Sequence, residues 1–222
     1  MLDSAMITMY ATEIRNTLIM TLGSTLLGYV LGLPLGILLT VTDKNGIRPN
    51  AVIYRVIDVI TNILRSIPFL ILLVLIMPLT KMLVGRTSGT NASMMVPLIV
   101  SGAPYIARMV ESSLKEVDHG VIEAAQSMGA STWQIIWKVL LGEARVSLIV
   151  NATIVTCTVL GYSAMAGTVG AGGLGKIAMT YGYYRYQTDI MIVAVVILVL
   201  LVQIMQLVGM FVSRKLDKRI NE

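Results

Sequence analysis

Cysteine, histidine and charge are all scarce in this chain. Cys157 is the single cysteine among 222 residues, which excludes a disulfide framework and a cysteine-based metal cluster and leaves a small packing residue in an apolar run. His119 is the single histidine. No Ser–Lys or paired-carboxylate constellation stands in the apolar segments, so a membrane-embedded hydrolase would lack both base and ligand. No catalytic residue and no metal site is expected. Charged residues make up 13% of the chain against 56% hydrophobic, and the mean hydropathy is +0.81, far from the composition of a water-solvated domain.

What is present is a series of long apolar runs. Uncharged stretches extend over 16–42, 87–107, 146–175 and 190–213, each long enough for the roughly 20 residues that cross a bilayer. A fifth, from about Val56 to Leu79, is equally apolar apart from Asp58 and Arg65 and is counted as a span. The expected fold is therefore all-α, a polytopic membrane protein of about five transmembrane helices forming a single domain over 1–222. No basic leader precedes the first run, and Asp3 and Glu13 stand where a signal peptide is positive, so the first helix is expected to be retained.

Five spans put the termini on opposite sides. With the C-terminus inside, the cytoplasmic side carries Lys44, Arg48, Arg55, Arg108, Lys115, Lys138, Arg145, Arg214, Lys215, Lys218 and Arg219, while the other side keeps only Arg15, Lys81, Arg86, Lys176 and Arg185. The excess of basic residues places the N-terminus outside and the C-terminus in the cytoplasm. It also accounts for the net charge of +5 without a nucleic-acid partner, because the basic residues form no stripe on a polar surface.

Within the spans, local chemistry marks particular faces. Gly28, Gly32 and Gly36 recur every four residues and make a ridge on which another helix can pack closely; Pro34 removes one backbone bond. Arg65-Ser66-Ile67-Pro68-Phe69 places a charge and a helix breaker at membrane depth, with Asp58 on the same helical face. Buried arginine in a bilayer faces the bundle, a partner or water, and two readings stand: a brace between helices or a lining of the pathway. Pro97, Gly102 and Pro104 make the third span the shortest and most interrupted in expectation. In the fourth, Asn151, Thr158, Tyr162 and Met165 share one face that should point into the bundle. The loop from Gly170 to Asp189 holds Tyr181, Tyr183, Tyr184 and Tyr186, read as an interfacial aromatic belt or as a docking surface for an external partner.

Gly170-Ala171-Gly172-Gly173-Leu174-Gly175-Lys176 satisfies G-x-G-x-x-G and nearly satisfies the phosphate-loop pattern. Both matches are refused. The residue after the lysine is Ile177 instead of a serine or threonine for magnesium, and no strand–helix alternation surrounds the motif. The glycines are better read as a non-helical turn with close packing.

The cytoplasmic segment at about 112–145 is more than a connector. Asp118 is placed to cap a short helix whose Val121, Ile122, Ala125 and Met128 fall on a stripe. Gly129 suits a left-handed stop, and Ser131 with Gln134 reads as a capping box for a second helix. Ala124 and Ala125 would let the short helix sit deep in a partner's groove; the alternative is a helix resting on lipid headgroups.

Glu123-Ala124-Ala125, Gly129, Val139 and Leu141 resemble the cytoplasmic signature of membrane permeases in ATP-binding-cassette importers, with Gly142 where the signature's last position is proline. Across nearly the whole chain, Arg65-Ser66-Ile67-Pro68-Phe69, Ala107-Arg108-Met109-Val110-Glu111 and Gly161-Tyr162-Ser163-Ala164-Met165 with Gly170-Ala171-Gly172-Gly173-Leu174-Gly175 are similar to permeases of the methionine uptake importers. The resemblance implies the type I importer permease fold in the bacterial cytoplasmic (inner) membrane, a homodimer of this chain, and two copies of a separate ATPase subunit. That subunit carries ATP and magnesium, and this chain binds no cofactor. It further implies an extracytoplasmic methionine-binding protein or lipoprotein and a coupling helix between spans three and four, in which Glu123, Ala124, Ala125, Gln126, Ser127, Met128 and Gly129 meet the ATPase. Transport would proceed by alternating access, importing D- and/or L-methionine or, in the nearest alternative, another amino acid or small osmolyte. An ATPase-independent channel or ion-coupled carrier is the more distant alternative, with only Arg65 and Asp58 as midplane charges. Candidate pathway residues are Arg65, Ser66, Tyr162, Ser163 and Met165, whose polarity lipid contact does not explain. The fifteen methionines say nothing of cargo, since methionine is a common apolar filler.

Overall fold

A computed structural model of the chain describes residues 4–217; Asp3, Lys218 and Arg219 of the sequence argument lie outside them. The described residues form helices and turns, with no strand among them. In order these are α1 (Ser4–Thr42), α2 (Ala51–Ser66), α3 (Phe69–Leu75), α4 (Met77–Val84), α5 (Asn91–Lys115), α6 (His119–Ser127), α7 (Thr132–Gln134), a wide π-type turn (Ile135–Leu140), α8 (Leu141–Glu143), α9 (Arg145–Ala166), α10 (Leu174–Ile177), continued by a second π-type stretch (Ala178–Tyr183), and α11 (Thr188–Leu216).

Four of these, α1, α5, α9 with its following turn, and α11, are long and apolar enough to cross a membrane. The fifth expected span is not one helix. Ile67 and Pro68 interrupt it, and α2 with α3 qualifies only as a bent pair. Pro68 lacks an N–H and restricts the residue before it, so the helical ladder of α2 cannot run through; Pro68 instead caps α3. The third span departs in the opposite direction, since α5 is continuous over 25 residues with Pro97 and Pro104 inside it. Each proline frees one carbonyl, and the flanking ladder holds the helix together. Its start is secured by Thr90 and Ser93, each side chain accepting the other's backbone N–H at 3.2 and 3.1 Å.

The chain divides into two compact units. The first comprises the residues up to Gly28, Ile67–Gly102 and Thr156–Gln206. Its core gathers Tyr10, Leu174, Ile177, Ile190 and Ala194, and the Tyr10 hydroxyl donates to the Ile190 carbonyl at 3.1 Å. Here the glycine motif is a turn followed by helix, where a loop was expected over Gly170–Asp189. Gly170 and Gly173 adopt φ of +89° and +94°, conformations open chiefly to glycine. The Gly173 N–H donates to the Glu13 carboxylate, and the Leu174 N–H donates to Thr17 Oγ1 at 2.9 Å. A Cβ on Gly175 would lie 2.0 Å from the Ala164 carbonyl oxygen, so the returning segment presses on the end of α9.

The second unit comprises Tyr29–Ser66, Ala103–Val155 and the residues from Leu207 on. The glycine ridge of α1 packs against α5 within it: a Cβ on Gly32 or Gly36 would lie 2.6 Å from the carbonyl oxygen of Ala103 or Ala107. Two backbones at that separation leave no space for a methyl group. Gly36→Val is therefore expected to destabilise the chain by at least about 1–3 kcal/mol, the usual cost of overpacking, whereas Gly142→Ala, with open space around it, should be neutral; thermal unfolding in detergent checks both.

Candidate coupling corner and a charge ladder at the end of the fifth helix

Between α5 and α9 the chain builds a corner from successive caps. The Asp118 carboxylate accepts from the Gly120 N–H at 2.7 Å and starts α6. The helix ends in a Schellman arrangement, with Ala130 N–H donating to the Ala125 carbonyl at 3.1 Å and Gly129 N–H to that of Gln126 at 2.9 Å. Gly129 has φ of +78°. Two residues later Ser131 and Gln134 form the expected capping box: the Ser131 N–H donates to Gln134 Oε1 at 2.8 Å and the Gln134 N–H to Ser131 Oγ at 3.3 Å. Orphan backbone groups on both sides of the corner are thus tied within the corner itself.

The faces of α6 sort differently from the expected stripe. Ala125 is buried, so it packs inward and is not free to enter a partner's groove, whereas Met128 is 81% exposed. Glu123, Ala124, Gln126 and Ser127 are exposed, and Ile122 is half-buried. On the exposed side His119 Nδ1 stands 3.1 Å from Glu123 Oε1. The outward surface of α6 therefore mixes polar side chains with Val121, Ala124 and the neighbouring Met128, while Ala125 fixes the helix to its own unit.

Beside this corner stands a ladder of charges whose pairing no local sequence pattern announces. Arg108 pairs with Asp58 and, at 2.7 Å, with Glu111. Lys115 bridges Glu111 and Asp43, each at 2.8 Å. The Tyr54 hydroxyl donates to Glu111 Oε1 at 3.4 Å, and Arg108 also donates to Asn62 Oδ1 at 2.9 Å. One turn-spaced face of α5 (108, 111, 115) thereby holds α2 and the turn after α1. Arg108 and Lys115 had been counted among loop-side residues; both belong to α5. Their i, i+3, i+7 spacing was a visible signal, but nothing in the sequence said which acids would meet them. Asp58, on the same helical face as Arg65, is taken by Arg108. Arg65 is exposed, has no ion pair among the described residues, and lies over the Tyr105 ring at 5.8 Å.

The other pathway candidates are placed as follows. Ser66 ends α2, its hydroxyl donating to the Asn62 carbonyl at 2.8 Å. Tyr162 stacks on Phe69, ring centroids 4.8 Å apart and nearly parallel. Ser163 is buried and its hydroxyl is used internally, accepting from Thr21 Oγ1 at 3.3 Å and donating to the Leu160 carbonyl at 2.8 Å. Met165 is 46% exposed. Asn151 donates to Ser113 Oγ at 2.7 Å, as an inward-facing polar residue of a membrane helix should. Among the described residues no cluster of histidine, cysteine and carboxylates is arranged to hold a metal ion.

Residues 28–222 match the family of binding-protein-dependent transport system inner membrane components. The chain belongs to this family. Its members are membrane components of transport systems and not enzymes. Among curated relatives, the probable D-methionine transport system permease protein MetI of Vibrio cholerae is 48% identical over 94% of this chain and 92% of its own length. The methionine import system permease protein MetP of Bacillus subtilis is 45% identical over 82% of each. A solved chain of the MetNI methionine ABC transporter, from a study of its inward-facing conformations, superposes with a TM-score of 0.95 at 45% identity, covering 97% of this chain and all of that one. The fold is accordingly that of a type I importer permease.

Two outcomes follow for this family member. Gly129→Val places a β-branched side chain at positive φ, a conformation such residues resist; the spans should still insert, while ATP hydrolysis by the assembled transporter should lose its link to solute uptake, read as the ratio of the two rates in proteoliposomes. The Lys115 ammonium, hydrogen-bonded to Asp43, and next the Asn45 N–H hold the Asp43 carboxyl below its ordinary value of 3.8. A carboxyl depressed on folding contributes stability that is complete above that ordinary value and is lost as pH falls through the lower folded value. Lys115→Met should therefore flatten the acid limb of the unfolding profile below about pH 4, measured by thermal unfolding across pH.

Proposed function

We propose that the chain is the permease of a methionine importer in the bacterial inner membrane. The observation that carries this reading is likeness along almost the full length to permeases named for methionine transport, together with superposition on a chain of the methionine ABC transporter. In this reading two copies of the chain form the pathway, two copies of a separate ATPase subunit supply the work and hold ATP and magnesium, and an extracytoplasmic methionine-binding protein or lipoprotein delivers D- and/or L-methionine. The chain itself binds no cofactor. Residues 1–222 act as one transmembrane permease domain with the N-terminus outside, the C-terminus in the cytoplasm, and the coupling loop at 112–145.

Glu123, Ala124, Gln126, Ser127, Met128 and Gly129 form the surface toward the ATPase, with Ala125 as the inward anchor that lets force on α6 reach the rest of its unit. ATP-driven closure of the ATPase pair would push on a corner whose caps leave it little freedom, and the ladder from Arg108 to Lys115 would pass the displacement from α5 to α2 and the turn after α1. Because closure repositions packed helices, access to the pathway alternates between sides. Arg65, Ser66, Tyr162, Ser163 and Met165 remain the pathway candidates. Tyr162 and Met165 act by contact, and Ser163 by holding α9 to α1 through Thr21.

The test is complementation of cells that lack methionine uptake and synthesis. Co-expression of the chain with its ATPase and binding protein should restore growth on methionine and ATP-dependent uptake of labelled methionine, with little competition from other amino acids; uptake of a different solute, or uptake without the ATPase, would replace this reading.

A further inference from the structure

The two tryptophans of the chain stand together and outside. Trp133 is 67% exposed and Trp137 52% exposed, their rings edge-on with centroids 5.4 Å apart. They lie one helical turn apart on the segment 132–143, which is two-faced. Ile135, Ile136 and Leu140 are buried on one side, while Trp133, Gln134, Trp137, Lys138, Gly142 and Glu143 are exposed on the other.

We propose that this segment is an interfacial anchor whose Trp133–Trp137 face sits in the headgroup layer of the bilayer. Two large indoles in open water forgo the burial that their apolar surface favours, and the interfacial layer is where an amphipathic ring with one N–H donor is best satisfied. Continuity with a membrane span supports the placement. Only Ala144, in a turn, separates the segment from α9. At about 1.5 Å per residue the segment is about 18 Å long, whereas each headgroup layer is only about 5–8 Å deep. Running straight on from the span, it would carry Trp133 beyond that layer. An anchor in this layer requires the chain to bend at the Ala144 turn, so that the two-faced segment lies along the interface with both rings within it and Lys138 extends its ammonium toward water. The anchor would set the depth of the Met128–Ser131 corner relative to the lipid.

Because Trp133 and Trp137 are the sole tryptophans, the emission of the full-length chain in nanodiscs reports on this face alone. Nanodiscs of lipids brominated near the glycerol end of the acyl chain should lower that emission about twofold or more relative to unbrominated lipid, as expected for rings at the interface, with weak quenching by aqueous iodide. The same ratio should hold in each of Trp133→Phe and Trp137→Phe, and after addition of an ATPase subunit made free of tryptophan. Emission indifferent to brominated lipid overturns the proposal: strong iodide quenching would then place the face in water, and a change only on adding the ATPase would place it at that subunit.

Discussion

A membrane offers the peptide backbone no hydrogen-bonding solvent, so wherever a helix stops, the freed N–H and C=O groups must find partners within the chain. Several helix ends among the described residues carry such partners, at membrane depth and also where the chain meets water. Asn50 Oδ1 accepts from the N–H groups of Val52 and Ile53 as α2 begins. Thr90 and Ser93 cap α5 reciprocally. Asp118, Gly129 and Ser131 close the corner around α6. At the glycine turn the donors are satisfied from α1, by Glu13 and Thr17. An acid at the start of an apolar span is costly unless paired or hydrogen-bonded; Glu13 meets that condition by holding the Gly173 N–H.

The same constraint governs charge. Glu111 is buried, and Arg108 is mostly so, and an isolated charge in such a place would be strongly unfavourable. The ladder resolves this by alternation, each acid lying between cations or beside one, so that three elements are held by groups that cannot separate without leaving a charge unpaired. A ladder of this kind resists gradual deformation and favours movement as a block. Within their unit, α5, α2 and the turn after α1 are tied together by these pairs.

The corner and the ladder differ in what they require. The corner is made of local hydrogen bonds between residues within a few positions of one another, so it holds its angle regardless of what surrounds it. The ladder joins residues up to 72 positions apart and exists only in the folded unit. Together they give a short helix capped at both ends and attached to its unit, with an exposed outward surface that carries Val121 and Met128 among polar side chains.

Much of this was legible in the residues alone. Long uncharged runs fixed α1, α5, α9 and α11, because span length is set by bilayer thickness and needs no knowledge of neighbours. Asp118, Gly129, Ser131 and Gln134 announced their caps because capping is decided within a single turn. Pro68 breaks the helix as its chemistry suggests, while Pro97 and Pro104 are absorbed by an unbroken α5 where interruptions were expected, since whether a helix survives a proline depends on what packs around it. The orientation of Ala125, the pairing of Asp58 with Arg108, and the attachment of the glycine turn to Glu13 were decided by tertiary structure. Each is a pairing between distant positions, and a single sequence records the side chains available for such pairings but not the distances that select among them.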